Sequence, residues 1–261
     1  MVISSKDNET IKKLKKLKDK KYRDQENCYI IEGIKLIKEA IQENAKIKLI
    51  IICDDCKQEN NIEEDIKYEI AKYECIYVTE KIFLSITNVI NPQGMLAVIE
   101  KKKQDSEINY EDDLFLILDD IQDPGNMGTI LRTADSLNLK QIIMSKECAD
   151  IYNPKVVRST MGAIFRIKII QSDNLVKTLK EMKKHKIKII TTSLQTNKKI
   201  YDIEYNKTAI VIGNEANGVS KEILEIADEK VKIPMPGKTE SLNASVATAV
   251  ILYEAMRNKL K

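Results

Sequence analysis

Three short stretches of this 261-residue chain combine turn-forming residues with side chains that can do chemistry. The first, Asp119-Asp120-Ile121-Gln122-Asp123-Pro124-Gly125-Asn126-Met127-Gly128-Thr129-Ile130-Leu131-Arg132, directly follows an apolar run at 114–118. Pro124-Gly125 favours a turn, and Asn126 is a good amino-terminal cap for a helix carrying Arg132 less than two turns later. A cation there could reach the carboxyl end of the strand, where open α/β sheets hold ligands. The plainer alternative is a strand-turn-helix corner with a surface arginine. The second stretch, Gly213-Asn214-Glu215-Ala216-Asn217-Gly218, also follows an apolar run. Gly213 permits close backbone approach and Glu215 sits at the strand's mouth, although this pattern alone fits any such corner. The third is Ile233-Pro234-Met235-Pro236-Gly237-Lys238-Thr239-Glu240-Ser241-Leu242-Asn243-Ala244-Ser245, a stiff loop that opens an alanine-rich helix. Its first turn would offer unpaired N–H groups and partial positive charge. A Ser or Asn cap would account for the helix start but not for the rigid loop ahead of it. Gly237-Lys238-Thr239 is not a P-loop, because the glycine needed five residues earlier is Lys232, so NTP hydrolysis is excluded.

Other chemistries lack their residues. The single histidine, His185, lies in Lys183-Lys184-His185-Lys186, a solvated run unsuited to a nucleophile triad. Cys53-Asp54-Asp55-Cys56 has CxxC spacing without a second pair, and reads as two strand-end thiols rather than a metal or redox site. Five cysteines at irregular spacing argue against a disulfide framework, and no metal is expected. With no Trp and three Phe, stacking platforms for single-stranded nucleic acid are scarce. The chain has only 8 Gly and 5 Pro, and most of them fall in the three stretches, so its forced turns concentrate at the candidate site.

Alternating helical and strand patterns must position these residues, so the fold class is α/β. Residues 1–100 read as a small α/β domain, 101–112 as a linker, and 113–261 as a second α/β domain with near-continuously apolar, parallel strands. Net charge is only +3, but residues 1–23 carry nine Lys/Arg against three Asp/Glu. Residues 10–21 form an amphipathic helix with Ile11, Leu14 and Leu17 on one face. On the other, Lys12, Lys13 and Lys16 either only aid solubility or, as the one-signed excess favours, contact a phosphate backbone. No apolar run nears the ~18–20 residues that cross a bilayer, and no secretory leader core is present, so a cytoplasmic protein is expected.

In this order and spacing the stretches DPGNMGTILR, IVIGNEANGVS and IPMPGKTESLNASVATA resemble the motifs of the SpoU (TrmH) family of RNA ribose methyltransferases, within the SPOUT class. Residues 1–100, with EGIKLIKEA and INPQGMLAVIE, are similar to the RNA substrate-binding domain that often precedes it, itself similar to ribosomal proteins that recognise kinked RNA. The resemblance implies S-adenosylmethionine as methyl donor, a 2′-hydroxyl acceptor in RNA, a homodimer with the active site at its interface, and a carboxyl-terminal trefoil knot. It implies that Gly213, Ile233, Met235 and Leu242 line the cofactor site, largely through backbone. Arg132 would bind RNA phosphate and assist loss of the hydroxyl proton. An arginine is normally protonated, so orienting the hydroxyl and stabilising its oxyanion is the easier version of that role. Asn126 would position Arg132, while Glu215, Ser241 and Asn243 would order the acceptor pocket. Ribosomal RNA is the favoured substrate; the alternatives are tRNA, or a non-catalytic RNA-binding or ribosome-assembly factor.

Overall fold

Runs of β-branched residues separated by short amphipathic helices build two sheets. The computed structural model describes residues 2–54, 64–102 and 107–257; Cys56, Ile62, linker residues 103–106 and Lys259 lie outside them. In chain order the first elements are β1 (Val2–Ile3), α1 (Glu9–Lys16), α2 (Lys20–Gln25), β2 (Cys28–Glu32), α3 (Ile34–Gln42), β3 (Ile47–Cys53), α4 (Glu64–Ile70), β4 (Cys75–Val78), α5 (Glu80–Ile86) and β5 (Met95–Glu100). Then come β6 (Leu114–Asp119), α6 (Pro124–Ser136), β7 (Gln141–Ser145), α7 (Pro154–Ser159), α8 (Ala163–Arg166), β8 (Lys168–Ser172), α9 (Leu175–Lys184) and β9 (Lys188–Thr192). The last are β10 (Thr208–Gly213), α10 (Lys221–Ile226), β11 (Glu229–Val231) and α11 (Ala244–Met256). Two compact units result: Met1–Lys103 with Asp150–Phe165, and Gln104–Ala149 with Arg166–Lys261. Residues 150–165 therefore pack with the first unit rather than with the rest of 113–261.

The first unit holds a five-stranded sheet in the order β1-β4-β3-β5-β2, with β5 antiparallel to both of its neighbours. Period-two alternation sorts its side chains onto two faces. Tyr29, Ile31, Ile50, Ile52, Ala97 and Ile99 meet α3, α4 and the later residues Val157, Ile164 and Phe165. Cys28, Ile30, Ile51, Leu96 and Val98 meet Ile11, Leu14 and Leu17 of the basic segment and Ile82, Phe83 and Ile86 of α5. Two expectations are corrected here. Residues 10–21 are not one helix: α1 closes at Lys16 with Leu17 as its cap, and α2 opens at Lys20. Cys53 is disulfide-bonded rather than a plain thiol.

The second unit is a six-stranded, wholly parallel sheet in the order β11-β9-β10-β6-β7-β8. Phe115, Ile117, Ile143, Ala209 and Val211 face α9 and α10. Alternation turns Leu116, Leu118, Ile142, Ile210 and Ile212, all buried, to the opposite face. Helices α6 and α11 pack on each other.

Candidate active site

Strands β6 and β10 are neighbours at the centre of the parallel sheet, in register from Leu114↔Thr208 to Asp119↔Gly213. The chain leaves β6 for β7 on one side and leaves β10 for β11 on the other. Their following loops therefore part at the carboxyl ends, the switch point at which parallel sheets hold ligands.

All three chemistry-bearing stretches meet there. One Glu215 oxygen accepts the Asn126 Nδ2 (2.9 Å) and the Asp123 backbone N–H (3.2 Å), and the other accepts the Gln122 N–H (3.2 Å). Asn126 Oδ1 in turn accepts Asn243 Nδ2 at 2.8 Å. Asn243 Oδ1 accepts the Ser245 N–H (2.9 Å) and hydroxyl (2.7 Å) at the start of α11. This chain of bonds has only one polarity. A carboxylate can only accept and a helix amino terminus can only donate, so both intervening amides are oriented from their ends. Partial burial would raise the Glu215 carboxyl; the donors from Asn126, Gln122 and Asp123 outweigh it and hold the group below the usual 4.5.

Asn126 reaches this position because it is not the cap, which corrects the sequence reading. The cap of α6 is Asp123, whose Oδ1 accepts the Asn126 N–H at 2.8 Å with Pro124 opening the helix, so the Asn126 side chain is released for the network. Likewise, Asn243 caps α11 through the Ser245 and Val246 N–H groups, so those amides are not the open anion site expected from the sequence.

The turn after β10 folds back on itself. A Cβ on Gly213 would lie 2.2 Å from the Gly218 carbonyl carbon and the Val219 nitrogen, so only glycine fits. Asn214, which the sequence reading passed over, organises this turn: its Oδ1 accepts the Ala216 and Asn217 N–H groups at 3.0 Å each. Its Nδ2 donates to the Asp120 carbonyl at 2.9 Å. Asp119 accepts the Ser220 N–H at 2.8 Å. An Asx residue two positions before its backbone partners was the available signal.

The other predicted residues stand apart from the network. Arg132 is exposed on α6 and its side chain has no hydrogen bond or ion pair with a described residue, and the same holds for the exposed Ser241 side chain. Ile233, Met235 and Leu242 are half-buried along the loop into α11. Among the described residues, the backbone of 233–242 makes no hydrogen bond, so a proline-stiffened loop presents its N–H and C=O groups unused. That is a donor and acceptor set suited to a polar cofactor held mainly by main chain. In the first unit, Lys12, Lys13 and Lys16 are exposed on α1; Lys12 pairs with Glu9 (3.1 Å) and Lys16 lies over the Tyr22 ring. His185 is exposed and stacks on Tyr110 at 3.9 Å. Among the described residues no His/Cys/Asp/Glu group could hold a metal, and no helix is long and apolar enough to cross a membrane.

A parallel sheet with three loops gathered at its switch point, in a chain that also folds a second α/β unit, is an arrangement shared with solved RNA methyltransferases. A solved structure described as an RNA 2′-O ribose methyltransferase superposes with a TM-score of 0.85 at 28% identity, covering 100% of both chains. The AdoMet-bound rRNA methyltransferase from Sinorhizobium meliloti gives 0.87 at 28% identity, covering 100% of this chain and 99% of that one. The 23S rRNA (guanosine(2553)-2′-O)-methyltransferase RlmP of Bacillus subtilis is 32% identical over 96% of this chain and 97% of its own. Residues 113–253 match the SpoU rRNA Methylase family and residues 8–97 an MRM3-like substrate binding domain. The chain belongs to the SpoU rRNA methylase family.

Proposed function

We propose that the protein transfers the methyl group of S-adenosylmethionine to a ribose 2′-hydroxyl of ribosomal RNA, working as a cytoplasmic homodimer. The observation that carries this reading is the Glu215–Asn126–Asn243 relay, which holds the loop after β6, the turn after β10 and the start of α11 in one arrangement at the switch point. S-adenosylmethionine would supply an electrophilic methyl group on a sulfonium; its carbon–sulfur bond would break as the 2′-oxygen takes the methyl, leaving S-adenosylhomocysteine, with the hydroxyl proton passing to solvent. Gly213 and the open backbone around Ile233, Met235 and Leu242 would hold the cofactor, with the trefoil knot of the family fixing the loops that carry them. Arg132, whose side chain has no partner among the described residues, is available to grip the RNA phosphate, orient the hydroxyl and stabilise the developing oxyanion. Glu215, Asn126 and Asn243 are positioning residues, and Ser241, in the loop before α11, would help order the acceptor pocket. Lys12, Lys13 and Lys16 add a one-signed RNA-facing surface.

Ribosomal RNA is preferred over tRNA because the RlmP relative matches along nearly the whole chain, first unit included. A solved structure described as a tRNA modifying enzyme matches over only 57% of this chain. A dimer is supported by α11, whose Val246, Val250 and Tyr253 are exposed on a helix that is apolar on its remaining sides as well. The test is Arg132→Ala. Tritiated methyl incorporation into rRNA should be lost while calorimetry still shows S-adenosylmethionine binding; undiminished incorporation would overturn the reading. Mapping 2′-O-methyl sites in cells with and without the gene then identifies the nucleotide.

A further inference from the structure

Two adjoining clefts open on the first unit, sharing Glu32, Leu36 and Arg158. The larger, of about 100 Å³, runs between the start of α3 and α7, with Leu36 and Met161 as apolar lining and Lys35, Gln93 and Arg158 as polar lining. Its walls are built rather than incidental. Gly33, at φ 101°, turns the chain from β2 into α3, and Gln93 Oε1 accepts the Ile34 N–H at 3.0 Å. A Cβ on Gly33 would come within 2.9 Å of that same oxygen. Glu32 pins the opposite loop by accepting the Thr87 hydroxyl and the Asn88 N–H. The Glu32 carboxylate is thereby satisfied from within the wall, and Glu39 also has an internal partner. By contrast, Lys35 and Arg158 are exposed and their side chains have no ion pair or hydrogen bond with a described residue. The four ionisable side chains of the lining balance in charge, and the two cations are the ones left without a partner among the described residues; Lys35 lies in the first turn of a nine-residue helix, where anions are favoured.

The cleft is too small for a duplex and has the scale of one base-sized group. An apolar floor beside two unpaired cations is the chemistry of a splayed nucleotide, because RNA is read at unstacked bases while its phosphates position it. We propose that this cleft seats one unpaired nucleotide of the RNA substrate, its phosphate on Arg158 and Lys35 and its base on Leu36 and Met161. The proposal rests on the RNA reading above. It also assigns substrate recognition to Arg158 and Met161, which lie outside residues 8–97 and inside the stretch that matches the methylase family.

The test uses the full-length protein and deproteinised rRNA from cells lacking the gene, with binding followed by filter retention across a salt series. Arg158→Ala and Lys35→Ala should each weaken binding about tenfold and make the slope of log K against log[salt] shallower by about one, the signature of one lost phosphate contact. Exposed Lys180→Ala, on α9 of the second unit, is the comparison and should leave the slope unchanged. Thermal melting checks that the variants are folded. Unchanged RNA binding in both cleft variants, or an equal loss in Lys180→Ala, overturns the proposal. Failure of the proposed function shows separately, as wild-type protein that binds rRNA but transfers no methyl group.

Discussion

At Glu215, one carboxylate accepts three donors from a loop some ninety positions away in the chain, and its ionised form is what those donors require. Because its folded-state pKa is depressed, the stability it contributes is present above the unfolded value of about 4.3 and is lost as pH falls through the folded one. Asn126→Asp tests this through charge rather than size. The substitution preserves shape but replaces the Nδ2 donor, 2.9 Å from a Glu215 oxygen, with a second carboxylate oxygen. Asn126 is buried at 7% exposure, so the penalty at neutral pH should be about 1–3 kcal/mol. It should shrink on acidification, since protonating either carboxyl restores a donor. Melting temperatures of the two proteins between pH 4 and 8 should therefore converge toward low pH. A constant gap would mean that the Asn126–Glu215 bond carries no charge dependence.

Helices α6 and α11 show how elements turn these residues into a site. Pro124 and Asp123 start α6 three positions ahead of Asn126, which places its amide inside the first turn and aims it at the neighbouring loop. On α11, Ile251 and Leu252 are buried while Val246, Val250 and Tyr253 are exposed at i, i+4 and i+7, one stripe along the helix. Burying that stripe against a second copy predicts that Val250→Glu gives a monomer by sedimentation and loses methyl transfer; a dimer that persists would place the interface elsewhere. The buried strands β3, β6 and β10 were legible as continuous apolar runs, α3 and α9 as helical patterns, and α11 as an alanine-rich stretch after a stiff loop. Strand β1 has two residues and β11 reads Glu-Lys-Val, too short and too polar for any pattern, and both are held only by pairing with β4 and β9. At the site, the residue types of Asn126, Glu215 and Asn243 were legible, but their bonds span 89 and 117 positions and exist only after folding. Asn214 offered only the local Asx signal for its turn, whereas its bond to the Asp120 carbonyl spans 94 positions and exists only after folding.

At the scale of the whole chain, the first unit is discontinuous: it needs residues that arrive only after β6, α6 and β7 have been made. Val157, Ile164 and Phe165 complete one face of its sheet, and Tyr152 packs on Tyr29 at 4.7 Å between ring centroids. The join is also ionic. Arg23, at 3% exposure, donates to Asp150 at 2.7 Å and to the carbonyls of Leu17 and Lys18 at 2.9 and 2.6 Å. A buried pair of this kind adds little compared with an apolar substitute, but removing one partner leaves a desolvated charge behind. Asp150→Ala should therefore cost about 3 kcal/mol, with Arg23 kept from the upper end of the range by its two carbonyl acceptors. The double variant Arg23→Met with Asp150→Ala should recover most of that loss, because the stranded charge goes with its partner. Urea denaturation of the three proteins decides the matter. If the double variant is no more stable than Asp150→Ala alone, residues 150–165 are held to the first unit by packing, and the ion pair is incidental to it.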